Sequence, residues 1–189
     1  MPKENKSRYA LMGLLSVCPG SGYDIKKFME GSTSNFWNES YGQIYPMLKR
    51  LVDEGLAVSR AEKQEGRPDR YVYTLTEPGQ QELQRWLLEP VEEAPERNEL
   101  LLKLFFGQHV GIPDNIEHVR RFRQLNVELL EKYRAIEAHL KDICKDQQES
   151  AYALITVRYG IHRCLALLNW CDETLQTLQT LVEIDAARD

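Results

Sequence analysis

FWNESYGQIYPMLKRLVDEGL, residues 36–56, is the stretch on which the reading of this 189-residue chain turns. At 3.6 residues per turn, Ile44, Met47, Leu48 and Leu51 share one face, while Gly42, Pro46, Lys49, Arg50 and Asp53 share the other. Ser40 is placed to cap the start, and Gly55 can end the helix in the left-handed conformation. Pro46 has no amide for the carbonyl of Gly42, so the first turn is expected to be irregular or shortened. On the outer face the small, rigid Gly42 and Pro46 are flanked by Gln43 and Tyr45, with Lys49 and Arg50 one turn later. Such a face can come close to a flat polyanion: glutamine pairs with a base edge, tyrosine reaches a phosphate, and the cations neutralise phosphate charge. The same pattern also fits a solvated amphipathic helix with two ordinary surface cations, so the flanking sequence has to decide.

Upstream, after a short basic arm (Lys3, Lys6, Arg8), Ala10, Leu11, Leu14 and Leu15 recur at helical spacing and predict a mostly buried first helix. Cys18-Pro19-Gly20 ends it. Ser21 with Asp24 three residues on fits a capping box, and Ile25, Phe28 and Met29 form the stripe of a second helix that Gly31 stops. Three short helices with a turn before the third give a helix-turn-helix. Downstream, Leu56 to Ala61 suits a strand, Glu62 to Asp69 a charged turn, and Arg70 to Leu75 a second, alternating strand. That is a hairpin with a basic tip stiffened by Pro68, the wing of a winged helix-turn-helix. Arg67 and Arg70 are its natural backbone or minor-groove contacts, with Lys63 a weaker one.

The whole chain sets limits on this reading. No apolar run approaches the roughly 20 residues that span a bilayer, and the polar start has no signal-peptide core, so a cytoplasmic protein is expected. The four cysteines, Cys18, Cys144, Cys164 and Cys171, form no C-x-x-C pair and read as buried reduced thiols. The four histidines are scattered, which argues against a metal site, and no nucleophile elbow or phosphate loop is present. The net charge of −5 argues against a nucleic-acid partner taken alone. Residues 1–88, however, hold 12 Lys+Arg against 11 Asp+Glu, a net of +1, and the remainder 12 against 18, a net of −6. A polyanion should therefore meet the N-terminal half.

Three segments, SGYDIKKFMEG (21–31), ESYGQIYPMLKRLVDEGL (39–56) and EGRPDRYVYTLTEPGQQEL (65–83), together resemble the winged domain of the PadR family of bacterial transcriptional regulators. Trp86-Leu87-Leu88-Glu89-Pro90 and ELLLKLFFG (99–107) resemble the C-terminal domain of that family's virulence-activator type. The resemblance implies a homodimer presenting a reading helix and wing from each subunit to an inverted-repeat operator on double-stranded DNA, usually to repress. On matching positions it implies a DNA-facing set of Ser40, Tyr41, Gln43, Tyr45, Lys49 and Arg50, with Arg67 and Arg70 on the wing. Tyr41 departs from the small residue expected there, which puts base preference at that position in question. Relatives often respond to small planar or aromatic ligands, which leaves room for a small aromatic effector that the sequence does not identify.

In the C-terminal half, Thr76 can cap a helix with Pro78 in its first turn and Leu83, Trp86 and Leu87 on its apolar face. The acidic, proline-bounded stretch 91–97 places the domain boundary near residue 90: 1–90 winged, 91–189 helical. Leu100 to Phe106 predicts a helix apolar on nearly all sides, and therefore buried either under its own domain or against a second subunit. Two long patterns follow. The first runs through Phe122, Leu125, Leu129, Tyr133, Ile136, Leu140 and Ile143, the second through Tyr152, Ile155, Tyr159, Leu165, Leu168, Leu175, Leu178 and Leu181. Helices of about 45 Å are too extended to bury their faces within one small subunit, so long antiparallel helices should form a dimer. His162, Asn169 and Asp172 interrupt the second seam and either fix register or line a small pocket near Trp170. Trp37 and Trp86 read as core anchors. The expected fold is mainly α, with a two-stranded β wing, and the expected function is a DNA-binding regulator without catalysis, cofactor or metal. The alternative reading is a winged-helix protein-interaction module that does not bind DNA, which the acidic total favours.

Overall fold

A computed structural model describes residues 6–34, 36–63, 70–92, 97–143 and 148–187. The chain divides into two compact units, Met1–Glu93 and Ala94–Asp189. In the first, α1 (Ser7–Val17), α2 (Gly22–Gly31) and α3 (Tyr41–Asp53) precede β1 (Ala57–Glu62) and β2 (Arg70–Leu75), and α4 (Glu77–Leu87) closes the unit. The strands are antiparallel, with Ala57 opposite Leu75 and Glu62 opposite Arg70. Gly20 adds a one-residue bridge, exchanging both backbone hydrogen bonds with Tyr73 at 3.1 and 2.9 Å, so the loop between α1 and α2 flanks the hairpin as a rudimentary third strand.

One core joins these elements. Tyr9, Leu11, Met12 and Leu15 of α1, Ile25 and Met29 of α2, and Ile44, Leu48 and Leu51 of α3 are all buried, and Ala57, Leu75 and Leu83 complete the cluster. Three of these helices, α2, α3 and α4, have the start their sequence specifies, whereas α1 starts from Lys6, which provides no side-chain cap. Ser21 and Asp24 form the reciprocal capping box of α2, Ser40 and Gln43 that of α3, and the Thr76 hydroxyl accepts from the Gly79 amide to begin α4. At the end of α3, Leu56 N–H reaches Leu51 O and Gly55 N–H reaches Val52 O, with Gly55 at φ +72°: a Schellman motif, which requires the left-handed residue. Pro46 does not shorten α3 as its missing amide suggested. The helix runs unbroken from Tyr41, because the buried stripe on the opposite face holds the turn in place. Trp86 stacks on Tyr9 at 4.6 Å, whereas Trp37 lies outside the core and donates its indole N–H to Glu39 across the α2–α3 turn. The wing tip, including Gly66, Arg67 and Pro68, lies outside the described residues.

In the second unit, α5 (Glu99–Phe105) and a single 3₁₀ turn precede α6 (Ile112–Ile143) and α7 (Gln148–Ala186). The long helices pair antiparallel. Arg123 meets Asp172 at 2.7 Å, Tyr133 lies on Gly160, and Arg158 meets Glu137 at 3.0 Å, contacts that run in opposite chain directions. Of the two ways to cover α5, burial within its own chain is not the one taken: Leu102 is 61% and Phe105 80% exposed. The face of α7 turned to α6 is Val157, Ile161, Cys164 and Leu168, while Tyr152, Ile155 and Tyr159 of the seam read from the sequence are exposed within one chain. One sequence expectation, that the cysteines are all buried, needs correction here, because Cys18 is exposed. Cys164 and Cys171 are buried, and Cys144 lies outside the described residues.

Candidate nucleic-acid interface

The buried stripe of α3 fixes which way its other side points. With Ile44, Met47, Leu48 and Leu51 in the core, Tyr41, Gln43, Tyr45, Pro46, Lys49 and Arg50 are all exposed. The Tyr41 and Tyr45 rings stack at 6.2 Å across one turn. Tyr45 also lies flat on Gly22, where an added Cβ would sit 2.6 Å from the ring, so the glycine is what lets the tyrosine bridge α3 to the start of α2. Desolvation, with the Glu30 carboxylate and the phenols of Tyr23 and Tyr45 nearby, raises the Tyr41 hydroxyl above its ordinary range. It therefore stays a neutral hydrogen-bond donor at pH 7.

The polar and charged members differ in how they are held. Gln43 is engaged at the helix start: its Oε1 accepts from the Ser40 N–H at 2.9 Å and from the Ser40 hydroxyl at 2.8 Å. Lys49 has no ion-pair partner among the described residues. Arg50 pairs with Glu54 one turn on at 2.7 Å, and the second oxygen of Glu54 takes Arg8 of α1 at 2.8 Å. Arg70, at the tip end of the wing's second strand, is turned to Asp24 at 2.8 Å, with Glu62 at 3.9 Å. The same Asp24 oxygen accepts the N–H and hydroxyl of Ser21. Desolvation raises the Asp24 carboxyl, but the Ser21 hydrogen bonds and the charges of Arg70 and Lys27 outweigh it, and the net direction is down. Arg70 thus ties the wing to α2, a contact that no spacing in the sequence announces. Arg67 lies outside the described residues.

Residues 11–85 match the model of the transcriptional regulator PadR-like family, and residues 96–179 match that of the virulence activator alpha C-terminal domain. The winged unit carries the domain of the PadR-like family. Over 101 residues it is 40% identical to the negative transcriptional regulator PadR of Bacillus subtilis strain 168, covering 52% of this chain and 55% of that protein, about half its length. The crystal structure of Bacillus subtilis PadR in complex with operator DNA matches with a TM-score of 0.79 at 26% identity, over 92% of this chain and 99% of that one. Its complex with p-coumaric acid matches with a TM-score of 0.72 at 25% identity, over 93% and 99%.

In this PadR-like domain the exposed surface around α3 is wider than the sequence pattern suggested. Tyr23, 59% exposed at the start of α2, stands close enough to Tyr41 to affect its ionisation, and Tyr71 is 56% exposed on the wing. The Ser21-x-x-Asp24 box could have signalled Tyr23, because it marks the first turn of α2. Lys26 was also missed. It donates to Asn38 Oδ1 at 2.8 Å and to the Glu39 carbonyl at 2.9 Å, fixing the turn that leads into α3. No group of three or more His, Cys, Asp or Glu among the described residues could hold a metal ion, and no helix among them is long and apolar enough to cross a membrane.

Proposed function

We propose that this protein is a homodimeric, sequence-specific transcriptional regulator that represses by binding an inverted-repeat operator, one half-site per winged unit. One observation carries the reading: a helix buried on one side exposes Tyr41, Gln43, Tyr45, Lys49 and Arg50 on the other, within a fold shared almost end to end with a regulator solved on its operator. Gln43 reads a base edge. Ser40 serves the DNA face by holding Gln43, while Tyr41 and Tyr45 contact sugar and phosphate, and Lys49 and Arg50 supply charge. Arg67 and Arg70 extend the contact along the wing, Arg70 by exchanging Asp24 for a phosphate. Residues 1–90 act as the DNA-binding domain and 91–189 as the dimerisation domain. The exposed apolar faces of α5 and α7 are the surfaces a second copy would cover. The p-coumaric acid complex of the Bacillus relative supports a small aromatic effector here too. The role is non-catalytic and cytoplasmic, where the DNA is.

Fluorescence anisotropy of the full chain on duplex DNA from upstream of its own gene, against a shuffled duplex at two salt concentrations, tests this. A preference of about 10³ or more for the native sequence, with affinity falling linearly in log salt, is the expected result. If no genomic fragment is bound in a genome-wide selection either, the reading is wrong and protein interaction takes its place.

A further inference from the structure

The capping box at the start of α3 restricts what Gln43 can say to DNA. A free glutamine carboxamide both donates and accepts, and it pairs bidentately with adenine by accepting from N6–H and donating to N7. A carbonyl oxygen has two acceptor positions, and Gln43 Oε1 already takes two donors, the Ser40 N–H at 2.9 Å and the Ser40 hydroxyl at 2.8 Å. The amide cannot be flipped to escape this, because its NH₂ would then face the Ser40 N–H, donor against donor. The exposed side chain is therefore left with N–H donors alone.

We infer that Gln43 reads guanine rather than adenine. Guanine presents two neighbouring acceptors in the major groove, O6 and N7, which the two N–H groups of one NH₂ match. Adenine presents one acceptor beside a donor, and that donor meets an oxygen with no capacity left. Ser40 is the positioning residue. It makes Gln43 a donor-only reader while holding the first turn of α3 closed. The inference rests on α3 being the reading helix, so its test has to separate the two claims.

The experiment is selection of bound duplexes from a randomised pool by the full-length protein, in parallel with Gln43→Glu and Ser40→Ala, each first checked for native helicity by circular dichroism. Glutamate keeps the capping oxygen but replaces the NH₂ donors with a second acceptor oxygen. At one position per half-site, Gln43→Glu should then exchange guanine for cytosine, whose N4 amino group donates, with roughly tenfold or greater change in the ratio of the two. Ser40→Ala frees one acceptor position of the carboxamide, and it should admit adenine at that same position while leaving the rest of the motif in place. A wild-type motif with any base other than guanine where Gln43→Glu acts overturns the inference alone, as does a motif that neither substitution alters. A wild-type protein that enriches no sequence at all overturns the regulator reading and this inference with it.

Discussion

Lys49 and Gln43 lie on the same exposed face of α3, yet their truncation should read differently. Lys49→Ala is expected to weaken binding on all sequences alike and to flatten the salt slope by about one unit, measured as log affinity against log salt. Gln43→Ala should relax preference at one base pair while leaving that slope unchanged, and equal effects of the two on both readouts would sink the division of labour. On the buried side, Leu48 has no accessible surface, so Leu48→Ala should cost about 2–5 kcal/mol in chemical denaturation. Which residues face which way on α3 was legible from the spacing of its four apolar positions. What holds the polar ones was legible only where the pairing is local, as for Arg50 with Glu54 and Gln43 with Ser40. Arg8 reaches Glu54 and Arg70 reaches Asp24 across 46 residues each, and pairings at such distance leave no periodic trace.

At the scale of the element, the Ser21–Asp24 box shows how a local signal takes on a second duty. The sequence marked it as a helix start, and in the fold the same carboxylate also receives the wing arginine. Because the Asp24 carboxyl is held below its ordinary value in the folded chain, its contribution to stability is present above about pH 4 and is lost as pH falls through that lowered value. Asp24→Asn should therefore cost about 1 kcal/mol at pH 7 and make less difference in acid, seen as converging thermal midpoints of the two proteins below pH 4. Such convergence failing would mean that Asp24 is not an ionised cap. The long helices show the limit of periodicity. In α7 the Tyr152, Ile155, Tyr159 stripe and the Val157, Ile161, Cys164, Leu168 stripe are both apolar, and spacing alone cannot say which faces its own subunit. The marker was Gly160. A Cβ there would sit 2.3 Å from the Tyr133 ring, so the helices meet closely at this point, and Gly160→Ala should destabilise the second unit by about 1–3 kcal/mol. An unchanged thermal midpoint would show that the ring yields without cost.

For the whole molecule, the split of charge, +1 over residues 1–88 and −6 beyond, orients approach to a polyanion and was legible from the sequence. Tyr152, Ile155 and Tyr159 are each more than 60% exposed. Placing glutamate at Ile155 and Tyr159 should yield monomers in sedimentation velocity and abolish half-site cooperativity on DNA, and a dimer of unchanged affinity would place the subunit interface elsewhere. That uncovered stripe also ties the protein's survival to its own abundance. Below the dissociation constant of the proposed dimer, each chain shows that apolar surface to proteases, so the dimeric pool thins faster than the total. For the proposed homodimer, a modest fall in synthesis then removes a larger share of the DNA-binding form than of the chain itself.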